Sequence, residues 1–186
     1  MLKLASLRAL IEQCLPELAR DPERLKIVGE GGRIIATGTQ ALSFEYRYTA
    51  FVTILDYAGH ADALFVPLLA WMQVNQGEQL DNPKAREEAI EFEVHHLNES
   101  SADIGIWLQL TERAIVRRQP QPGSPGRLTI THPEEPLHAG EQALPGQQDG
   151  QQAMTERWEL WLKDKKLAEW DAAPPIAREW FKPALR

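Results

Sequence analysis

The stretch LSFEYRYTAFVTIL, Leu42 to Leu55, decides the fold. Leu42, Phe44, Tyr46, Tyr48, Ala50, Val52 and Ile54 fall on alternate positions. Ser43, Glu45, Arg47, Thr49, Phe51, Thr53 and Leu55 lie between them. A period of two with aromatic and β-branched residues on the regular face predicts one long strand. Its second face is polar at the start and apolar at the end. Burial on one face and then on both places it centrally in a sheet.

The flanking segments read outward from that strand. Leu4, Leu7, Leu10, Ile11, Leu15 and Leu18 recur at helical steps and predict a helix from about Lys3 to Ala19, stopped or bent by Pro16. Asp21-Pro22 reads as a cap and first helical proline, starting a short turn to Leu25. Lys26 to Val28 reads as a short strand. The glycine cluster Gly29, Gly31 and Gly32 has no Gly-Lys-Ser/Thr after it, so a hairpin turn is expected rather than a phosphate loop. After the central strand and a turn at Gly59, Ala61 to Asn75 predicts a broadly apolar helix. Asp62 is its candidate N-cap, Pro67 is placed near its first turn and Asn75-Gln76-Gly77 ends it.

Ala89 to Leu97 and Asp103 to Val116 alternate again and predict an antiparallel hairpin. Glu112 falls in the apolar phase, which suggests a bulge or a partner for Arg113. The expected core joins Phe44, Tyr46, Val52, Ile54, Leu68, Trp71, Ile106 and Leu108. Residues 119–153 are rich in Pro, Gly and Gln and read as a linker, with Leu128 to Thr131 a possible short strand. Glu156 to Trp170 fits a hairpin turning at Asp164-Lys165, with a helix as the rival. Residues 154–186 thus form a C-terminal hairpin and aromatic tail, and residues 1–118 the main α+β domain.

The composition narrows the chemistry. The charge is −7, with 20 Lys and Arg against 27 Asp and Glu, which argues against nucleic-acid backbone binding as the main activity. No apolar run reaches the ~20 residues that span a bilayer. The amphipathic N-terminus does not read as a signal peptide, and a single cysteine, Cys14, fits a reducing cytoplasm. His95 and His96 would point to opposite strand faces, and His60, His132 and His138 fall in loops, so all five read as surface or structural. Cys14 reads as a packed thiol. Glu91 and Glu93 share a strand face and read as a solvated edge rather than a catalytic pair. No cofactor or metal site is expected. Tryptophan is the unexplained residue. Trp71 is assigned to the core. Trp107, Trp158, Trp161, Trp170 and Trp180 exceed what a small hairpin and domain can bury, so they are read as assembly-interface candidates.

Several segments together resemble the tail completion protein R family of contractile-tailed temperate phages of the Peduovirus type. They are the N-terminal leucine helix, Ser43-Phe44-Glu45 with Arg47-Tyr48-Thr49, Val66-Pro67 with Ala70-Trp71, Asn75-Gln76 and Leu110-Thr111-Glu112-Arg113. The likeness runs from Leu4 to about Val116 and, more loosely, over WELWLKDKKLAEW. It implies a structural, non-enzymatic protein that finishes the phage tail at its head-proximal end. By analogy of element order it further implies a tail-terminator-like α+β subunit in a homo-oligomeric ring, in the manner of a hexamer. Such a ring meets tail tube and sheath proteins and head-tail connector proteins, without a membrane. A head-to-tail adaptor is the alternative, and a tail-assembly chaperone or small hydrolase is the alternative from another class. DNA would pass through the ring unbound. Glu87, Glu88, Glu91 and Glu93, the densest acidic cluster near the domain, are read as lining that channel.

Overall fold

The computed structural model describes residues 1–36, 38, 42–98, 100–119, 126–133 and 156–172. The chain begins with α1 (Leu2–Cys14) and α2 (Pro16–Arg20), separated at Leu15, where Pro16 starts a new helix. A 3-10 turn, Pro22–Arg24, leads into β1 (Leu25–Ala36). The long strand follows as β2 (Phe44–Tyr57), then α3 (Asp62–Asn75), α4 (Gly77–Asp81) and α5 (Pro83–Glu87). Then come β3 (Ile90–His96), β4 (Ala102–Gln119), β5 (Arg127–Thr131) and the pair β6 (Glu156–Leu162) and β7 (Lys165–Ala172).

The fold is α+β. Its main sheet is antiparallel in the order β1-β2-β4-β3, with β5 on the far end of β4. The long strand is central, as its two apolar faces require. Val52 lies opposite Ile106, and Ala50 opposite Leu108. These side chains, with Tyr48, Ile54, Ile104 and Leu110, face α1 and α3 and form one core with Leu7, Ile11, Leu18, Leu64, Leu68, Trp71 and Met72. Tyr46 packs at its margin, and Phe44 meets Tyr46 edge-on at 4.8 Å rather than entering the core.

Four local readings need correction. The glycine cluster does not reverse the chain. β1 runs straight through it, with a register shift between Glu30 and Arg33 and Gly31 at φ +60, so the glycines serve a β-bulge. Pro67 lies inside α3, past the first turn. It removes one helix hydrogen bond, which burial of Leu64, Leu68, Trp71 and Met72 around it outweighs. Asp62 is the first helical residue rather than the cap, and Ala61 precedes it without a side-chain cap. The C-terminal pair is a hairpin, but it turns at Lys163-Asp164, with Lys163 at φ 53.

Glu112 also differs from expectation. β4 passes it without a bulge, in register opposite Tyr46. Its carboxylate is buried and accepts from Leu2 N at 2.8 Å, from Lys3 N at 3.3 Å and from the Tyr48 hydroxyl. The acid satisfies the free N–H groups at the start of α1, where a negative charge also suits the helix dipole. Arg113 instead lies 3.9 Å from both Glu45 and Glu78.

Candidate assembly surfaces

The residues singled out by the sequence occupy three separate places. Trp107 lies on the face of the sheet that the helices leave open. It stacks on Phe51, with centroids 4.8 Å apart and planes 20° from parallel. Gly105 makes room for that stack, since a Cβ there would come within 3.3 Å of both rings.

Trp158 and Trp170 are paired across β6 and β7. Trp170 is 6% exposed and belongs to the subunit's own core with Ala168, while Trp158, Leu160 and Leu167 pack at its edge. β7 meets α1 and α3, and Gln13 Nε2 donates to Asp171 Oδ2 at 2.8 Å. An isolated two-stranded unit is marginal in water, and here the helices supply the missing apolar contact. The Trp158 indole Nε1 is buried without a hydrogen-bond partner among the described residues. Trp161 is different. After a register shift at Leu160/Trp161 it turns outward, 53% exposed, with its Nε1 donating to Glu159 at 3.0 Å. Trp180 lies outside the described residues, as does most of the linker, 120–125 and 134–153. The described part of the linker includes β5, which pairs with β4 from Ile115 to Gln119.

The acidic cluster follows one edge of the sheet. Glu87 ends α5, Glu88 follows it, and Glu91 and Glu93 lie on β3. All four are exposed. Glu91 lies opposite Trp107, and Glu93 opposite Gly105, so both share the open face. His95 Nε2 lies 3.3 Å from Glu93. Among the described residues β3 is the outermost strand on this side, and its second edge is unpaired.

Where β3 stops short, a side chain closes β4 instead. Gln76, fully buried, accepts from Thr111 N at 3.0 Å and donates to Thr111 Oγ1 at 2.7 Å. Lys3 Nζ donates to the same Gln76 oxygen at 2.9 Å and to the Asn75 carbonyl. Asn75, Gln76 and Glu112, read from sequence as marks of a resemblance, thus meet around the start of α1. Among the described residues, no group of three or more His, Cys, Asp or Glu is placed to hold a metal ion.

A profile of the family described as P2 phage tail completion protein R (GpR) matches residues 1–136. That covers well over half of the chain. The chain belongs to the phage tail completion protein R family. Within the family, it is similar to Tail completion protein R of Escherichia phage P2, with 32% identity over 171 residues. The alignment covers 92% of this chain and 99% of that relative, so it extends beyond the profile into the C-terminal region. No solved structure matches the chain.

Sequence reasoning missed two exposed apolar residues on this member of the tail completion family. Alternation places Phe92 on one strand face with Ile90, Val94 and His96. It faces the helix side at an outer strand, where it is 57% exposed and its ring centroid lies 4.7 Å from that of Phe65. Ile34 is 68% exposed on β1. Neither residue carries a local signal of being at an edge, because edge position depends on strand order.

Proposed function

We propose that this phage tail completion protein is the tail terminator, a homo-oligomeric ring of six copies that closes the head-proximal end of the tail. On this reading one rim of the ring meets the tube and sheath proteins, and the other offers the surface for the head connector. The observation that carries the reading is family membership together with a sheet that, among the described residues, has an open edge on each side. Open edges and a folded core suit a part that repeats around an axis.

The acidic strip Glu87, Glu88, Glu91 and Glu93 supports a bore that lets DNA pass. Carboxylates repel phosphates, whereas a basic wall would hold DNA by counterion release. Trp161 and the Trp107 stack are the aromatic surfaces assigned to contacts with other tail components.

Particles produced without this protein test the proposal. Loss of a terminator yields tails of uncontrolled, excess length. Tails of normal length that fail to join heads would point to an adaptor instead. Quantitative mass spectrometry of purified tails should find about six copies per particle, and absence from finished tails would exclude both structural roles.

A further inference from the structure

The two open edges of the sheet are complementary, and we propose that β3 of one copy pairs antiparallel with β1 of the next, Phe92 opposite Ile34 and Glu93 opposite Arg33. This inference rests on the ring reading above and names the contact that would build it.

Among the described residues the backbone groups are available on both sides. Gln109 N donates to the Ala89 carbonyl and Leu97 N to the Ser101 carbonyl. Odd-numbered residues of β3 therefore bond to β4, and Ile90, Phe92, Val94 and His96 turn their N–H and C=O groups outward. On β1 the Leu25 carbonyl accepts from Arg8 Nη2, which marks the partners of even-numbered β2 residues as outward-facing. Past the bulge those are Ile34, opposite Tyr46, and Ala36, opposite Phe44. The half of β1 before the bulge is covered by α1, since Leu4 and Met1 lie against Gly29. The half after it is exposed throughout.

The side chains match face by face. Phe92 and Ile34 both lie on the helix side of their sheet, opposite Ile106 and Tyr46. Glu91, Glu93, Arg33 and Ile35 lie on the open side. With Phe92 set against Ile34, the antiparallel register brings Glu93 to Arg33 and Glu91 to Ile35. Arg33 and Glu91 have no ion pair among the described residues, and Glu93 has only His95.

Strand direction selects a head-to-tail arrangement. The four strands alternate, so β1 and β3 run antiparallel, and a second copy in the same orientation continues the sheet without inversion. A two-fold contact of β3 with itself about Phe92 would set Glu91 of each copy against Glu93 of the other, which is repulsive. Phe92 is level with Ile27 in its own sheet, so pairing with Ile34 steps each copy by about six residues, or ~20 Å, along the strands. Such a step tilts the strands against the ring axis, as shear does in a barrel. Glu93 is then paired at the junction, and Glu87 and Glu88 keep that wall acidic.

The experiment uses the full chain and exposed residues that leave the core intact. In sedimentation velocity, Glu93→Arg and Arg33→Glu should each weaken self-association by about tenfold or more, and the two together in one chain should restore it. Cysteine exchange fixes the geometry, with buried Cys14 silent. Arg33→Cys and Glu93→Cys chains should cross-link on oxidation only when mixed. Association by both single charge variants at wild-type strength would overturn the edge pairing and leave the ring reading standing. So would cross-linking of Glu93→Cys chains with each other. A wild-type chain that stays monomeric at every concentration would overturn the ring and the pairing together.

Discussion

Glu112 Oε2 holds Leu2 N at 2.8 Å across a sequence separation of 110 residues. The contact fixes where the first helix sits on the sheet. Replacing Glu112 by alanine should leave Tyr48 and the first amides of α1 without their acceptor and cost about 3 kcal/mol or more, from the loss of charge-assisted hydrogen bonds in a buried place. Glu112→Gln, which keeps one acceptor, should cost less. Urea unfolding of the two variants measures the difference, and a loss under half a kcal/mol for alanine would show that this anchor does not hold the helix.

Leu68 is 1% exposed, in the middle of α3 and against the sheet. Leu68→Ala should destabilise the protein by about 2–5 kcal/mol, as expected for a buried leucine. Val66→Ala, on the exposed side of the same helix, should change stability by less than about 0.5 kcal/mol. Equal effects from the two would mean that α3 faces another way.

The hairpin tryptophans should separate in the same manner. Trp170→Ala should cost about 3–5 kcal/mol, because the ring is part of the subunit core. Trp161→Ala should leave the denaturation midpoint nearly unchanged and act instead on tail assembly in a complementation assay. A Trp161 variant that completes tails at the wild-type rate would remove it from the assembly surface.

Alkaline pH should weaken the fold. Burial pushes the Cys14 thiol from 9.0 up to about 12. Burial, with the Glu17 charge adding, pushes the Tyr57 hydroxyl from 10.0 up to about 12. Burial and the Glu112 carboxylate hold Tyr48 well above its ordinary range. Each group is raised in the folded state, so its contribution is complete below the unfolded value and is lost as pH rises through the folded one. Stability should therefore fall between about pH 9 and 12, by up to ~1.4 kcal/mol per pH unit for each group in its window. Tyr57→Phe should flatten the part of that slope above pH 10. An unchanged slope would mean that Tyr57 ionises freely in the native state.

The readable parts of this fold are the ones whose signal is local. Alternation marked β2, β3 and most of β4, and apolar spacing marked α1 and α3. The glycines at Gly29 to Gly32 were misread because a bulge and a hairpin turn call for the same residue, and only the partner strand tells them apart. α4 and α5, five residues each, are too short for a period to show. The role of Glu112 was hidden because its partners lie at the other end of the chain. The tryptophan excess was read as interface surface, whereas Trp170 and Trp158 pack in or against the subunit's own core. It did not say that Trp170 turns toward α1 and α3 while Trp161, across the register shift, turns away.

The position of α1 sets an order of events during synthesis. Its apolar residues Leu7, Leu10 and Ile11 leave the ribosome before the elements that cover them, for they pack on α3, and further against β7, which ends at Ala172. The carboxylate that fixes its N-terminus arrives only with residue 112. This helix is thus made well before it is enclosed, and a growing chain carries its uncovered leucine stripe until α3 and β7 have followed. Such exposed surface invites chaperones and premature association. A chain stalled before the hairpin should be held by a chaperone, whereas the released full-length chain should not.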